Sequence, residues 1–373
     1  MRESNGRKKC IVITNPMIAK NRSAEVTLSK FLRVILPLYD QVQVIGGNLT
    51  IESDLGMVEF SSYPISRDSS KLKRILDVGL LQIRMAEKLI TSIESNTPVF
   101  FWIADKMIFP YLIAKLRGAE VNYFIYGCIS NEGRKNLFRK ISSVLIRFMA
   151  KHADYVCMES PSVINDWPEL QVKHKRIIHL YAEMTEIEDF SRRKPIFGMI
   201  CRLAPGKHVI ESIEAFAKIH EEYPQWNLEI IGAGKQEYEC KKLIGALSAD
   251  RYIHMYGWVQ HEEIVPISSR WRYLLFPTDA EGLPNALLEI MGQGIPAIVS
   301  PVGGIPDVIE DGRNGWFLYK TDPMSIAEKV KEVLREEHYD AIATAAYQTI
   351  EKRYTKEAAQ RWMRCEIDRR VRG

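Results

Sequence analysis

Residues 196–234 read IFGMICRLAPGKHVIESIEAFAKIHEEYPQWNLEIIGAG, and the spacing of their apolar residues decides the fold. The apolar run Ile196–Ile200 leads into a Pro-Gly turn and then into helical spacing from about Lys207 to Glu222. A second apolar run, Leu228–Ile231, follows. Strands that alternate with helices are typical of a parallel β-sheet covered by helices on both faces. This stretch therefore predicts a βαβ unit.

The same alternation continues on both sides of this unit. In the N-terminal half we predict helices near residues 22–36, 69–94, 105–117 and 134–151, and strands at Cys10–Thr14, Gln41–Ile45, Met57–Ser61, Val99–Ile103, Val121–Tyr126 and Asp154–Glu159. In the C-terminal half we predict helices over 236–247 and 284–292, and strands at Ile253–Tyr256, Tyr273–Phe276 and Ala297–Ser300. The pattern predicts an α/β fold of two Rossmann-like, doubly wound domains that face a central cleft. Ligands of open α/β sheets bind beyond the carboxyl ends of the strands, so the cleft is expected to hold two substrates.

A polar stretch, Tyr181–Pro195, interrupts the alternation and is rich in charged residues. We therefore expect an N-terminal domain over residues 1–183, a linker over 184–195 and a C-terminal domain over 196–354. The tail is helical in pattern, and we expect a helix within 355–373 to return to the N-terminal domain.

The composition is that of an ordinary globular protein. The 373 residues are 46% hydrophobic and 26% charged, which excludes wholesale disorder and low complexity, and the length suits two domains. The six cysteines lie at least 29 residues apart, so there is no CxxC pair for zinc or disulfide exchange. No uncharged apolar stretch reaches the roughly 18 residues that a bilayer span needs. We expect a cytoplasmic protein, at most peripheral on the inner face of a membrane.

The positive charge is concentrated in one segment. The chain carries a formal net charge of +4, and residues 131–151 alone hold six basic residues against one acidic residue. A helix over 134–151 would place Leu137, Ile141, Val144, Leu145 and Phe148 on one face and Lys140, Arg147 and Lys151 beside it. Such a helix either rests on an anionic membrane surface or covers the sheet with a solvated basic side. A charge surplus confined to one segment predicts no nucleic-acid partner.

Two cations follow the strand at Ile196–Ile200. Arg202 ends the strand and Lys207 follows the Pro-Gly turn, in the expected first turn of the next helix. The helix dipole disfavours a cation at that position, and a bound anion would reverse the penalty. The two cations and the free helix N–H groups therefore suit a phosphate, although two solvated surface cations would give the same pattern.

A second constellation lies at residues 278–289, TDAEGLPNALLE. Pro284 suits a first helical turn, and Gly282 lets the backbone approach a ligand, so Glu281 would face the cleft and Glu289 would lie deeper in the helix. Alternatively, Asn285, Glu289 and Gln293 form the solvated stripe of an apolar helix. Asp279 and Glu281 could pass for a metal pair, but no third ligand is evident nearby, and we expect no metal.

Two glycine-containing turns carry weaker signals. The sequence Gly232-Ala233-Gly234 lacks the third glycine and the downstream acid of a dinucleotide fingerprint, so a tight turn is its first interpretation. The sequence 302–306, VGGIP, predicts a loop that needs unusual dihedral angles.

Taken in order, these motifs resemble the retaining nucleotide-sugar glycosyltransferases of family 4, glycosyl transferases group 1, which have the GT-B fold. The resemblance runs almost continuously from about Ile196 to Leu318. It is carried by the motifs CRL…K at 201–207, LEIIGAG at 228–234, YGWV at 256–259, EGLPN…E at 281–289, PVGGIPD at 301–307 and DGRNG at 311–315.

The resemblance implies roles for individual residues. Arg202 and Lys207 would bind the donor diphosphate, and Glu289 would bind the ribose hydroxyls. Arg202, Lys207 and Glu281 form the implied catalytic set. The other implied donor-binding residues, which contact the sugar, the base or the phosphates, are Gly232, Gly234, Gly257, Trp258, Val259, Gly282, Leu283, Pro284 and Asn285.

The N-terminal half departs from the family pattern. Family members commonly carry a Gly-Gly loop after the first strand, where this chain reads NPMIAKNR at 15–22, and a His after the fifth strand, where it reads IYGCI at 125–129. The resemblance therefore assigns no donor or acceptor contact in this acceptor-side domain.

The function implied by the resemblance is the transfer of a sugar from a nucleoside diphosphate sugar to a hydroxyl group, with retained anomeric configuration and with no cofactor or metal. The acceptor would be a saccharide or a lipid-linked molecule in polysaccharide, glycolipid or other glycoconjugate synthesis. Two alternatives remain open. One is a catalytically silent partner that only binds a nucleotide sugar, and the other is a nucleotide-sugar epimerase or hydrolase on the same fold.

Overall fold

The computed structural model describes residues 7–17, 23–50, 55–66, 71–126, 137–170, 172, 174–185 and 190–368. In these ranges the strands are β1 (Arg7–Ile13), β2 (Tyr39–Gly47), β3 (Val58–Tyr63), β4 (Pro98–Phe101), β5 (Glu120–Phe124), β6 (Tyr155–Met158), β7 (Lys175–Ile177), β8 (Ile196–Ile200), β9 (Asn227–Ile231), β10 (Ile253–Gly257), β11 (Tyr273–Phe276), β12 (Ala297–Val299) and β13 (Gly315–Phe317). The helices are α1 (Ser23–Ile35), α2 (Lys71–Ser92), α3 (Ile108–Leu116), α4 (Leu137–His152), α5 (Val209–Glu222), α6 (Glu237–Ala246), α7 (His261–Ser268), α8 (Asn285–Met291), α9 (Pro323–Val333), α10 (Tyr339–Arg353) and α11 (Lys356–Asp368).

The strands form two parallel sheets, one for each half of the chain. The N-terminal sheet has the order β3-β2-β1-β4-β5-β6-β7, and the C-terminal sheet has the order β10-β9-β8-β11-β12-β13. In both sheets the strand order reverses beside the first strand, between β1 and β4 and between β8 and β11. The predicted fold class of two Rossmann-like domains is confirmed. The carboxyl ends of β8 and β11 flank the switch point where open α/β sheets bind ligands.

Apolar cores lie on both faces of each sheet, which explains why the central strands are almost continuously hydrophobic. In β1, Ile11 and Ile13 face one core of the N-terminal domain, and Cys10 and Val12 face the other. The C-terminal domain has the same arrangement, with Phe197 of β8 in one core and Ile196 in the other.

The last helix packs on the first domain. Ala359, Met363 and Ile367 of α11 belong to the apolar core that α1 and β1 also line. The indole N–H of Trp362 donates to the carbonyl of Ile177 at 2.8 Å. The chain therefore passes between the two domains twice, and the two passages are joined by a hydrogen bond from Ala182 N to Tyr354 O at 2.8 Å.

Helix α4 is amphipathic, but some of its apolar residues face the core and others face solvent. Leu145 packs against the core, so the predicted single apolar face is wrong at this residue, whereas Val144 and Phe148 are 64% and 42% exposed. Arg147 pairs with Glu169 at 2.9 Å. The side chains of Leu137, Lys140 and Ile141 lie outside the described part. No helix in the described ranges has the length and hydrophobicity that a membrane span requires.

Candidate active site

Two loops meet at the switch point of the C-terminal sheet. One follows β8 and contains Lys207, and the other follows β11 and contains Thr278 and Glu281. The backbones are joined by a hydrogen bond from Asp279 N to the carbonyl of Gly206 at 3.0 Å. The Lys207 ammonium forms an ion pair with Glu281 and donates to Thr278 Oγ1 at 3.0 Å. Lys207 and Glu281, both predicted as site residues, are therefore in direct contact.

The helix after Lys207 begins later than its sequence pattern indicates. Helix α5 starts at Val209, because His208 has a φ of 48° in the left-handed region. The imidazole Nε2 of His208 lies 2.6 Å from Asp279 Oδ1. The prediction that Lys207 sits in the first helical turn was therefore wrong, and the carboxylate of Glu281 offsets its charge.

Arg202 lies on the same loop as Lys207 but does not share its contacts. Its side chain is exposed and makes no hydrogen bond or ion pair with the described residues. Of the two predicted cations, only Lys207 is held by surrounding groups.

The Gly232-Ala233-Gly234 turn holds the loop after β8 in place. Gly232 has a φ of 142°, and a Cβ atom added there would lie 1.8 Å from the carbonyl oxygen of Cys201. The carbonyl of Ala233 accepts a hydrogen bond from Leu203 N at 3.0 Å. The two glycines thus let two backbones touch, as a tight turn requires. A direct role of Gly232 and Gly234 in donor binding stays a prediction.

The segment after β10 presents an aromatic side chain to solvent. Gly257 has a φ of 70°, Trp258 is 55% exposed, and Val259 packs against the core of the C-terminal domain. A planar exposed indole suits stacking on a nucleobase. The placement of Gly257, Trp258 and Val259 near the base stays a prediction.

The loop that carries Glu281 is braced by the VGGIP loop. Gly304 N donates to the carbonyl of Gly282 at 2.7 Å, and a Cβ atom added to Gly303 would lie 1.8 Å from the Glu281 carbonyl. Leu283 and Pro284 are buried beneath this contact. Asn285, the first residue of α8, has a buried Oδ1 atom with no hydrogen-bond partner among the described residues. This oxygen is therefore an unused hydrogen-bond acceptor within the described part of the structure.

Glu289 forms an ion pair with the N-terminal domain. Lys30 Nζ of α1 lies 2.6 Å from its carboxylate, and the two side chains are 5% and 14% exposed. Lys30 also donates to the carbonyl of Tyr181 at 3.1 Å, and His261 Nε2 lies 3.8 Å from Glu289. The alternative of a solvated stripe is wrong, because Gln293 is also buried and its Nε2 donates to the Glu289 carbonyl.

Comparisons with known proteins give a family match for the segment that contains these residues. Residues 182–349 match the model of the family glycosyl transferases group 1. The C-terminal domain is a group 1 glycosyltransferase domain. Every predicted site residue in this chain, from Arg202 to Glu289, lies inside that matched segment.

Several curated relatives of the group 1 domain are named as glycosyltransferases. The chain is 28% identical over 191 residues to the GtfA subunit of a UDP-N-acetylglucosamine–peptide N-acetylglucosaminyltransferase from Streptococcus pneumoniae, covering 48% of this chain and 37% of the relative. It is 27% identical to N-acetyl-alpha-D-glucosaminyl L-malate synthase of Bacillus anthracis, covering 52% of this chain and 53% of the relative. The match thus spans about half or less of the length of these relatives.

Solved structures extend the likeness to the whole fold. HepE from Anabaena in complex with UDP superposes with a TM-score of 0.76 at 14% identity, covering 96% of this chain and 100% of that chain. Sucrose-phosphate synthase from Thermosynechococcus elongatus also gives a TM-score of 0.76, at 13% identity, with 98% and 99% covered. At such identities the likeness shows a shared two-domain architecture around the group 1 domain.

Sequence reasoning missed the N-terminal residues that reach the group 1 domain. Glu159 directly follows β6 and accepts a hydrogen bond from Leu283 N at 3.3 Å. Burial raises the pKa of this carboxyl group to about 7, the bond from Leu283 opposes that shift, and the nearby Glu281 adds to it. The available signal was a charged residue at the end of a hydrophobic strand, where parallel sheets place functional groups.

Lys30 also carried a signal that was overlooked. It lies four residues before the buried Val34 of α1, so the helical period puts this lysine on the buried face. A buried cation needs a partner, and that partner is Glu289 of the group 1 domain.

Both members of the acidic pair beside the group 1 site contact side chains of the chain itself. Asp279 faces His208, and Glu281 faces Lys207. No group of three or more His, Cys, Asp or Glu side chains in the described residues is arranged to hold a metal ion. The family departures at 18–22 and 127–129 lie outside the described residues.

Proposed function

We propose that this protein is a retaining glycosyltransferase that moves a sugar from a nucleoside diphosphate sugar to a hydroxyl acceptor. The observation that carries the proposal is the contact of Lys207 with Glu281 and Thr278 at the switch point of the group 1 domain. A held cation at the carboxyl ends of β8 and β11 is suited to the diphosphate of a donor.

In the proposed reaction the bond between the anomeric carbon and the diphosphate oxygen breaks while a bond to the acceptor oxygen forms on the same face. Negative charge grows on the departing diphosphate, and Lys207 stabilises it without reorganising. The exposed guanidinium of Arg202 is free to turn onto the same group. The acceptor proton passes late to the leaving phosphate oxygen.

Glu281 and Asn285 are proposed to hold the donor sugar. The Glu281 carboxylate is ordered by Lys207. Asn285 Oδ1, at the start of α8 directly after this loop, can accept a hydrogen bond from a sugar hydroxyl. Such contacts fix the anomeric carbon near the acceptor, which is where positioning contributes most to the rate. With Lys207 and Arg202 opposite the diphosphate, we propose that transfer needs no metal ion.

Glu289 is proposed to bind the ribose hydroxyls of the nucleotide. A carboxylate accepts two hydroxyl donors well, and the ion pair with Lys30 holds this one in a fixed orientation. The contact is made before and during transfer, so it contributes to donor affinity rather than to the chemical step.

The acceptor is proposed to be a saccharide or lipid-linked molecule presented at the cytoplasmic face of a membrane. The N-terminal domain supports this with large apolar side chains that are exposed on three neighbouring helices. They are Ile75, Leu76, Leu80, Ile83 and Ile90 of α2, Phe109, Leu112 and Leu116 of α3, and Val144 and Phe148 of α4. Arg147 and Lys151 of α4 are also exposed, and the combination of exposed apolar and basic side chains suits a bilayer with anionic headgroups.

The proposed activity is tested with a panel of nucleoside diphosphates and nucleotide sugars. A donor that binds the native state should raise the melting temperature, by the equivalent of about 2.7 kcal/mol at a hundredfold excess over its Kd. The same donor is then offered with hydroxyl acceptors, and the configuration of the product is read by NMR. A stabilising donor that is never consumed would identify a silent binding partner, and an epimerised nucleotide sugar would identify an epimerase.

A further inference from the structure

The segment Glu159–Ser162 of the N-terminal domain holds two loops of the group 1 domain at once. Glu159 accepts the backbone N–H of Leu283, in the loop that carries Glu281. Ser160 and Ser162 bind Asp307, at the end of the VGGIP loop. Neither loop belongs to the domain that holds it.

The contact with Asp307 uses both carboxylate oxygens. Ser162 N donates to Oδ2 at 2.8 Å, Ser162 Oγ donates to Oδ1 at 2.9 Å, and Ser160 Oγ donates to Oδ2. Three donors on one carboxylate, one of them a backbone N–H, fix both the distance and the angle between the two segments. This arrangement needs the two domains to be correctly placed.

The two loops held by this segment are also bound to each other. Gly304 N donates to the Gly282 carbonyl, and a Cβ atom added to Gly304 would lie 2.6 Å from Ser160 Cβ and 2.7 Å from Gly282 O. Gly304 therefore lies between the N-terminal segment and the Glu281 loop with no space to spare. A displacement of Ser160 or Asp307 is passed to Gly282 by direct contact.

We propose that residues 159–162 form an interdomain clasp whose residues position the donor-sugar loop 281–283 and couple its geometry to domain closure. The inference rests on the proposed function, because it names what that loop would hold. Glu159, Ser160, Ser162 and Asp307 are positioning residues here, since they act on the donor through the backbone of Gly282 and Leu283.

The first test uses amide hydrogen exchange on the protein without any donor. The amides of Leu283 and Ser162 report from opposite domains, since each donates across the cleft. Asp307→Ala removes the partner of Ser162 directly, and it should also speed exchange at Leu283, which it does not touch, by about fivefold or more. Asp311→Ala is the matched control, because Asp311 accepts a hydrogen bond from Phe317 N inside its own domain.

The second test separates positioning from binding. With a donor that the parent uses, Asp307→Ala and Glu159→Ala should lower kcat by about tenfold or more, whereas the Kd of the free nucleoside diphosphate should change by less than about twofold. Asp307→Asn and Glu159→Gln keep an acceptor oxygen and should recover part of kcat. Circular dichroism on each variant shows whether it has folded, and Ser162→Ala, which leaves the backbone N–H in place, serves as a milder variant.

The outcomes are distinct. Unchanged exchange at Leu283 in Asp307→Ala overturns the clasp, whatever the donor is. Faster exchange with an unchanged kcat also overturns the positioning role, because the contact is then only structural. A parent protein that transfers no sugar at all contradicts the proposed function itself, and the inference falls with it.

Discussion

Lys207 of the group 1 domain is paired with a carboxylate of its own domain, whereas Glu289 of the same domain is paired with a lysine of the N-terminal domain. Lys207 and His208 meet Glu281 and Asp279 within a single domain. Lys30 and Glu289 form an ion pair between the two domains. A pair within one domain can support catalysis whatever the arrangement of the domains. A pair between domains forms only when the two domains are correctly placed.

The largest effect is expected when the ion pair within the group 1 domain is removed. Lys207→Ala should lower turnover about 10²- to 10³-fold, or about 2–4 kcal/mol of transition-state stabilisation, because it removes a charge aimed at the leaving group. We expect a similar loss for Arg202→Ala in steady-state transfer assays. Lys241→Ala is the control, since Lys241 is exposed and pairs with Glu237 along α6. Equal turnover in Lys207→Ala and the parent would place this lysine outside the reaction.

The ion pair between the two domains is tested by Lys30→Met. This change leaves Glu289 without its nearly buried partner, and it should lower the free energy of unfolding by about 3 kcal/mol. Urea unfolding measures the loss. The double variant Lys30→Met/Glu289→Gln should recover part of it, because no unpaired charge remains. An additive result for the two changes would show that the pair is not coupled.

A third expectation concerns the pH dependence of the interdomain contacts through Glu159. Burial raises the pKa of Glu159 from 4.5 to about 7, so the native protein holds this proton more tightly than the unfolded chain. The associated stability is complete below pH 4.5 and is lost as the pH rises through about 7, an effect of about 3 kcal/mol. Glu159→Gln should therefore unfold at higher urea than the parent at pH 8, with the advantage shrinking toward pH 5. A constant difference at the two pH values would contradict the shifted pKa.

The two carboxylates of the group 1 site should differ from each other. Glu289→Gln should weaken binding of a nucleoside diphosphate about tenfold in calorimetry, since a ribose contact exists before and during transfer. Glu281→Gln should mainly lower kcat and leave that affinity nearly unchanged. If Glu289→Gln leaves the affinity for the nucleoside diphosphate unchanged, the role of Glu289 is confined to the ion pair with Lys30.

The smallest effect concerns the outer surface of the N-terminal domain. Anionic vesicles should sediment the protein at low salt, and each basic residue at the surface should contribute about 1 kcal/mol that salt screens. Replacing Lys140, Arg147 and Lys151 by Gln should release the protein from the vesicles without unfolding it. Neutral vesicles are the control. Persistent binding of the triple variant, or no binding of the parent, would leave α4 as a cover for the sheet alone.

The sequence predicts most of what is local in this molecule. The apolar strands and the CRL…K and EGLPN…E motifs are each contiguous in the chain, so the sequence alone shows that Lys207 and Glu281 both follow the carboxyl end of a strand. In a parallel sheet these ends lie at the same edge. The short edge strands β7 and β13 escape prediction because each has three residues and begins with a lysine or a glycine, so neither shows an apolar strand pattern. The start of α5 also escapes, because His208 adopts a left-handed conformation that the sequence pattern does not reveal.

What lies between the domains could not be predicted in the same way. Lys30 and Glu289 are separated by 259 positions, and Ser162 and Asp307 by 145. Their contacts depend on the angle between two rigid bodies, which no local pattern encodes. Each residue carried a partial signal, such as a charge on a buried helix face, but the identity of its partner required the assembled structure.

The packing of α11 has a consequence for synthesis on the ribosome. Ala359, Met363 and Ile367 complete a core whose other members include Ile178 and residues near the start of the chain, such as Cys10 and Val12. The N-terminal domain is translated first but cannot close this core until residue 367 has emerged. During elongation it therefore exposes apolar surface of α1 while the group 1 domain, contiguous in the chain, is free to fold. A chain truncated after residue 355 would contain the whole core of the group 1 domain but would lack the α11 residues that complete the core of the first domain.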